Sequence, residues 1–142
     1  MSGFLLDTNV ISELVKPRPE ANVTAWVEGT DESLLYLSVL TFGEIRRGIS
    51  VLSQSRRRAT LEAWLDKDLH ARFAGRVLAI DDEVADRWGL LTAVARKSGI
   101  VLPVIDGLLA ATALEHNLTL VTRDIGQVPT IGVAVFNPWE KN

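Results

Sequence analysis

Short apolar runs alternate with segments of helical periodicity along the chain. The apolar runs predict strands at residues 4–6, 33–39, 77–80, 118–122 and 133–136. Between them, apolar residues recur every three or four positions, which predicts helices at 8–15, 20–28, along the stripe Phe42, Ile45, Ile49 and Leu52, and at 55–74, 82–98 and 106–116. Strands that alternate with helices predict an α/β fold with a mostly parallel sheet covered on both faces.

Nothing in the sequence divides this pattern into two units. No repeat, low-complexity segment or linker rich in Pro, Gly or Ser interrupts it, so residues 1–142 are expected to form a single domain. With 47% hydrophobic and 23% charged residues, the composition is that of a globular protein able to bury a core.

Composition and charge limit which classes of protein the sequence can belong to. The longest apolar region, residues 98–114, is broken by Pro103 and Asp106 and is too short to span a membrane. The absence of cysteine and of a signal-peptide pattern in "MSGFLLDTN" leads us to expect a cytoplasmic protein. The net charge of -3 gives no global basic surface, so nucleic acid could bind only through local patches.

Four acidic residues stand out by their position. Asp7 and Asp124 end predicted strands, Glu44 follows a third strand, and Asp106 opens a predicted helix as the only charge between Ser98 and Leu114. In a parallel sheet, ligands bind in the crevice beyond the carboxyl ends of the strands. The four acids are therefore expected to meet in one site.

Each acid also has an explanation in local structure. Asp7 can cap the helix that follows it, and Glu44 can form a capping box with Thr41. Asp106 can be an acid of the first helical turn, where the helix dipole stabilises negative charge, and Asp124 can belong to a turn. Any one of these explanations suffices for its own residue. Four unrelated capping residues, however, need not lie at the same end of one sheet. The residues of a single site must lie there together.

Carboxylates brought close together select the chemistry of such a site. They repel one another, so either their pKa values rise or a cation sits among them. Oxygen ligands without Cys or His favour a hard ion, Mg²⁺ or Mn²⁺, over Zn²⁺. Such an ion binds phosphate oxygens and activates water for attack on phosphorus.

Three stretches resemble the PIN-domain ribonucleases, specifically the VapC and FitB-like toxins. They are "FLLDTNVISEL" at 4–14, "SVLTFGEIRRG" at 38–48 and "LPVIDGLLAATALEHNLTLVTRD" at 102–124, and the resemblance covers nearly the whole chain. It implies a PIN-like three-layer α/β/α sandwich. The family's catalytic residues map onto Asp7, Glu44, Asp106 and Asp124, with Thr122 in place of its Ser or Thr.

The resemblance also implies a function and its partners. The family members it points to are Mg²⁺- or Mn²⁺-dependent endoribonucleases that form homodimers and are silenced by a small cognate antitoxin. Some bind operator DNA only through the antitoxin complex. The metal is then expected on Asp7 and Asp106, and on Asp124 directly or through water, while Glu44 supports the waters. Thr122 is expected to bond Asp124 or an RNA phosphate.

Two other functions are compatible with parts of the sequence. A phosphohydrolase of the aspartyl-phosphate type would use Asp7 as its nucleophile, but that class normally has a second acid where this chain has Asn9. A non-catalytic, partner-binding PIN scaffold would have kept the fold without the chemistry. Missing acids would favour that scaffold, and all four are present.

Several further residues have weaker claims. Arg46 and Arg47 follow Glu44 within one turn, and one of them is predicted to steer a phosphate backbone toward the metal while the other stays in solvent. Asp81 and Asp82 follow another strand and are interpreted as helix caps. The apolar face of helix 55–74, with the neighbouring tryptophans, is the predicted dimer contact. The tryptophans, interpreted as core or interface anchors, are Trp26, Trp64, Trp88 and Trp139.

Overall fold

The computed structural model, which describes residues 2–124, 126 and 132–140, is built on a sheet of five parallel strands. The strands are β1 (Phe4–Leu6), β2 (Leu35–Ser38), β3 (Val77–Leu78), β4 (Thr119–Val121) and β5 (Val135–Phe136). Their order, β3-β2-β1-β4-β5, places the first strand at the centre between β2 and β4. The predicted α/β class is confirmed, and every pairing in the described sheet is parallel.

Helices connect the strands, as the periodicity predicts. They are α1 (Thr8–Leu14), α2 (Ala21–Glu28), α3 (Val39–Ser50), α4 (Arg56–Ala63), α5 (His70–Arg72), α6 (Asp82–Lys97) and α7 (Val104–Glu115). A π-helical segment, Trp64–Leu69, joins α4 to α5, so the helix predicted at 55–74 is one rod with widened turns in its middle. None of the helices in the described ranges is both long and apolar enough to cross a membrane.

The two faces of the sheet are covered by different helices. Alternate residues of a strand point to opposite faces, and in β1 this separates Leu6 from Leu5. Leu6 joins a buried cluster with residues of α1, α2, α3 and the π-helical segment, whereas Leu5 packs with Leu109, Ala110 and Ala113 of α7. Helix α6 packs on the outside of α7. The result is a helix, sheet, helix sandwich.

The start of α7 differs from the prediction, with consequences for Asp106. The helix begins at Val104 and not at Asp106, because Pro103 occupies the N-cap position, where its missing N–H costs no helical hydrogen bond. Asp106 therefore lies in the first turn and is exposed. Leu109, Ala110 and Ala113, which lie one and two turns further along the same helix face, are buried.

The strand predicted at 33–39 is also shorter than expected. Glu32–Leu34 form a 3₁₀ turn capped by Asp31, and Val39 already belongs to α3. The Ser38 side chain caps α3 by accepting from the Leu40 N–H at 3.1 Å. Thr41 lies inside the helix as a result, so the predicted capping box with Glu44 is wrong.

Candidate active site

The four acids singled out in the sequence line one cavity at the carboxyl edge of the sheet. Its volume is about 380 Å³. The residues around it are Asp7, Thr8, Asn9, Ser12, Glu13, Lys16, Glu44, Asp106, Arg123, Asp124 and Trp139. Thr122 lies directly behind this lining and is almost fully buried.

Asp7 serves both local structure and the cavity. It follows β1 and caps α1, with the Thr8 N–H donating to its Oδ1 at 2.7 Å. Its own backbone N–H donates to the Val121 carbonyl at 2.9 Å, which extends the pairing of β1 with β4. Oδ2 accepts from the Thr122 hydroxyl at 2.7 Å. The same carboxylate therefore caps α1 and lines the cavity.

Thr122 connects two of the acids, Asp7 and Asp124. Its hydroxyl proton goes to Asp7, and its Oγ1 accepts from the backbone N–H of Asp124 at 3.1 Å. The Asn9 side-chain amide approaches the same oxygen at 3.4 Å. The hydroxyl has a single proton, which Asp7 receives, so the expected hydrogen bond between Thr122 and Asp124 is made at the Asp124 backbone N–H.

Glu44 is held by a residue that sequence reasoning missed. The Thr8 hydroxyl donates to Glu44 Oε1 at 2.5 Å and lies 3.2 Å from the Thr41 hydroxyl. These contacts tie the first turn of α1 to α3, so that Glu44 faces the acids from the second strand's side. In the sequence, Thr8 could not be distinguished from an ordinary helix-start residue.

Crowding changes the ionisation of two of the acids. Burial raises the pKa of Asp7, and the nearby Asp106 and Glu44 charges raise it further, against the lowering effect of the Thr122 and Thr8 hydrogen bonds. Asp106 is exposed as a whole residue, yet partial burial of its carboxyl group raises its pKa, and the Glu44 and Asp124 charges raise it further. Acids that repel one another in this way indicate negative charge that the protein itself leaves uncompensated.

The donor set fits a hard divalent cation that retains part of its water. In the portion of the chain that the structure describes, no three acidic or histidine side chains converge into a ready-made metal cage. The cavity instead offers dispersed carboxylate oxygens, and Mg²⁺ typically binds through one or two carboxylates while keeping several waters. Asp7, Asp106 and Asp124 are the residues that would hold such an ion, and Glu44 lines the same cavity, where it could contact the ion's waters.

Arg46 and Arg47, the cations predicted near the acids, are not part of the lining of the acidic cavity. Lys16 and Arg123 are the cationic residues among the lining. Arg46 pairs with Asp66 of the π-helical segment, and Arg47 lines a neighbouring cavity beside Glu44. The interpretation of Asp81 as a cap is confirmed, because its carboxylate accepts from the Val84 N–H at 2.9 Å.

Similarity to known proteins extends over nearly the whole chain. The family model for the PIN domain matches residues 4–128. The chain belongs to the PIN-domain family. Toxin FitB of Neisseria gonorrhoeae is 40% identical to this PIN-domain chain over 136 residues, or 96% of the chain and 98% of that protein. VapC ribonuclease Y4jK of Sinorhizobium fredii is 38% identical over 137 residues, or 96% of the chain and 98% of that protein.

Solved PIN-domain structures share the architecture. The crystal structure of FitAcB from Neisseria gonorrhoeae superimposes with a TM-score of 0.92 at 39% identity and covers 97% of this chain and 99% of that one. A structure of FitAB bound to an IR36 DNA fragment gives a TM-score of 0.93 at 37% identity, with 98% and 97% covered. The PIN-like sandwich implied by the sequence motifs is thereby confirmed.

Proposed function

We propose that this PIN-domain protein is a divalent-metal-dependent endoribonuclease and the toxin of a toxin-antitoxin pair. The observation that carries the proposal is the convergence of four acids from four segments on one cavity, two of them with raised pKa values. The names of the similar proteins, Toxin FitB and VapC ribonuclease Y4jK, support the same activity and role.

The proposed mechanism is hydrolysis of an RNA phosphodiester. When bound, Mg²⁺ or Mn²⁺ supplies a Lewis acid that neutralises phosphate charge and lowers the pKa of water. Asp7 and Asp106 would hold the ion, Asp124 would do so directly or through water, and Glu44 would orient the waters. Thr122 fixes the Asp7 carboxylate, and Thr8 fixes Glu44 Oε1 while leaving Oε2 available as an acceptor.

The proposal is tested by cleavage of RNA by the purified chain in Mg²⁺, Mn²⁺ or EDTA. Asp7→Asn and Asp106→Asn should each lower the rate by more than about 100-fold, because even changes to residues behind metal ligands cost about 10- to 100-fold. Asp68→Asn is the matched control, since Asp68 is exposed in the π-helical segment and does not line the cavity. Full cleavage in EDTA, or by both site variants, would contradict the proposal.

We further propose that control comes from a small cognate antitoxin. An arginine of that partner would enter the cavity and pair with Asp7, Asp106 and Asp124, since charge-assisted pairs with arginine are strong. An apolar groove adjoins the acids beside the helical rod, and its apolar lining includes Val15, Ile45, Ile49, Leu61 and Trp64. It would receive the neighbouring segment of the antitoxin.

The remaining proposals concern assembly and location. We propose a homodimer that resides in the cytoplasm and contacts operator DNA only through the antitoxin complex. The FitAB relative bound to a DNA fragment supports the contact with DNA. Mapping of cleavage ends in total RNA after brief induction, with Asp7→Asn as control, would identify the RNA that is cut.

A further inference from the structure

Two cations stand at the edge of the acidic cavity, one contributed by each end of the chain. Lys16 follows α1, and Arg123 follows β4 immediately before Asp124. They are the basic members of the cavity lining, and both are exposed. Each is anchored by a neighbour that the proposed chemistry does not otherwise use.

Lys16 is held by Glu13. Its Nζ lies 2.9 Å from Glu13 Oε1, while Glu13 Oε2 accepts from the backbone N–H of Glu20 at 2.9 Å. The Glu13 side chain is only 7% exposed, because neighbouring side chains close to the protein surface cover it. The Lys16 side chain, in contrast, is 52% exposed. An ammonium group has three donors, so two N–H groups of Lys16 stay available to a ligand.

Arg123 is held by Trp139. Its guanidinium carbon lies 5.1 Å from the centroid of the indole ring, a cation–π distance. Trp139 is fixed in turn, because its backbone N–H donates to Asn137 at 2.8 Å and its carbonyl accepts from Asn22 at 3.2 Å. Stacking on the ring leaves the guanidinium donors free for hydrogen bonds in the plane.

The two anchors meet each other. The Trp139 indole N–H faces the Glu13 carboxylate and helps the Lys16 and Glu20 contacts to hold the pKa of Glu13 below its usual range, without the geometry of a full hydrogen bond. Lys16, Glu13, Trp139 and Arg123 therefore form one connected set along the cavity edge. An arrangement with two fixed cations beside four acids is unexpected for a protein that only needs to bind a metal.

We propose that Lys16 and Arg123 form a phosphate-binding rim that holds RNA backbone phosphates beside the one being cleaved, with Glu13 and Trp139 as positioning residues. The inference rests on the proposed ribonuclease function and specifies how that site holds its substrate. A phosphodiester approaching four carboxylates is repelled wherever the metal does not compensate, so fixed positive charge is needed at the edge. Arg46 does not serve, because it is not among the residues that line the acidic cavity and it pairs with Asp66 of the π-helical segment.

The rim is tested by RNA binding in a chain that cannot cleave. A fluorescein-labelled single-stranded RNA is titrated with the Asp106→Asn chain in Mg²⁺, and its anisotropy is followed over a KCl series. Lys16→Gln and Arg123→Gln should each weaken binding several-fold and reduce the slope of log K against log salt by about 0.7, the value for one phosphate contact on a single strand. Arg46→Gln removes the same charge and should change neither quantity.

Glu13→Gln separates positioning from simple charge. If Glu13 were only another negative group near the RNA, its removal would tighten binding. Because Glu13 holds Lys16, the proposed rim predicts the opposite result. Glu13→Gln should weaken RNA binding and should raise the KM of the cleaving chain at nearly unchanged kcat.

The outcomes also separate the rim from the nuclease. Cleavage of RNA by the unmodified chain, with Lys16→Gln and Arg123→Gln matching Arg46→Gln, would overturn the rim alone. RNA binding that weakens as expected in a chain that never cleaves would support the rim and overturn the nuclease. A chain that neither binds nor cleaves RNA overturns both.

Discussion

At Thr122, one buried hydroxyl joins the carboxylate of Asp7 to the backbone of Asp124, two groups from opposite ends of the sequence. The contact stabilises the ionised form of Asp7 but does not outweigh the effect of burial, since the pKa of Asp7 is raised on balance. The protein thus holds a carboxylate in the charged state at some cost to the free energy of folding.

The first prediction concerns that cost. The pKa of Asp7 is higher in the folded chain than its ordinary value of 3.8, so the folded state loses stability as pH rises from 3.8 through the folded pKa. Asp7→Asn should therefore raise the free energy of unfolding at pH 7 in EDTA, because Asn caps a helix about as well as Asp. Thermal unfolding from pH 3.5 to 8 measures this, and the gain should vanish below about pH 3.8.

Two controls accompany this measurement. Asp68→Asn should show no comparable pH-dependent gain, since Asp68 lies outside the cavity. Addition of Mg²⁺ should stabilise the unmodified chain and leave Asp7→Asn unchanged. A variant less stable than the unmodified chain at pH 7 in EDTA would contradict the prediction.

The acids were predictable from the sequence and their supporting residues were not, for a physical reason. A lone charge in an apolar region is visible because burying it is costly, which singles out Asp7, Glu44 and Asp106. Thr8 and Lys16 occupy positions where a hydroxyl or a lysine needs no special explanation. Their roles depend on Glu44 and Glu13, whose positions relative to them follow only from the fold.

At the level of elements, the packing of α6 on α7 positions Asp106. Gly107, the next residue, is buried against α6, and a methyl group there would come within 3.0 Å of Trp88 Nε1, 3.1 Å of Trp88 Cδ1 and 3.3 Å of Thr92 Cγ2. The absence of a side chain at Gly107 therefore sets how closely the two helices approach.

The second prediction tests this contact. Gly107→Ala should destabilise the protein by about 1–3 kcal/mol, the cost of overpacking a core, even though alanine favours helices. Gly89→Ala in α6 is the control, because a methyl group there meets nothing within 4 Å and should stabilise by roughly 0.5–1 kcal/mol. Urea denaturation measures both. Equal stabilisation by the two substitutions would show that the helices separate freely.

Element types followed from periodicity, whereas several boundaries did not. The start of α7 depended on whether Pro103 ends a loop or begins a helix, and both agree with its fixed φ. The π-helical turns of Trp64–Leu69 leave the apolar spacing of Leu65 and Leu69 intact. Periodicity alone could not reveal them, because the two leucines are buried as they would be in a regular helix.

At the scale of the molecule, the large apolar side chains that are exposed among the described residues do not lie on the helix predicted as the dimer contact. In helix 55–74, predicted as the dimer contact, Leu65, Leu69 and Phe73 are buried in the core. The large exposed apolar residues of the second helical layer are instead Leu90, Val94, Val101 and Val104. Leu90 and Val94 are one turn apart in α6 and are 65% and 60% exposed.

The third prediction follows for self-association. The unmodified chain should sediment as a dimer at micromolar concentration, because exposed apolar patches of this kind mark interfaces. The double variant Leu90→Glu, Val94→Glu should sediment as a monomer. Val51→Glu, which changes an equally exposed residue at the end of α3, should remain dimeric. A monomeric unmodified chain would contradict the homodimer.

The fourth prediction concerns the antitoxin. Its affinity, measured by calorimetry, should fall for the double variant Asp7→Asn, Asp106→Asn by on the order of 1 to 3 kcal/mol for each lost charge-assisted contact. Asp68→Asn should bind as the unmodified chain does. Unchanged affinity in the double variant would mean that the antitoxin binds only outside the acidic cavity. No binding of any co-encoded protein, and no toxicity on expression, would contradict the toxin role.

The central position of β1 has a consequence for synthesis on the ribosome. Asp7 is synthesised 115 residues before its hydrogen-bond partner Thr122, and β1 cannot complete its pairing until β4 has been made. Until then the nascent chain lacks both Arg123 and Asp124, and its non-local contacts delay folding further. A nascent chain that stops before β4 therefore has neither a complete sheet nor the proposed active site, and we expect such a fragment to be inactive.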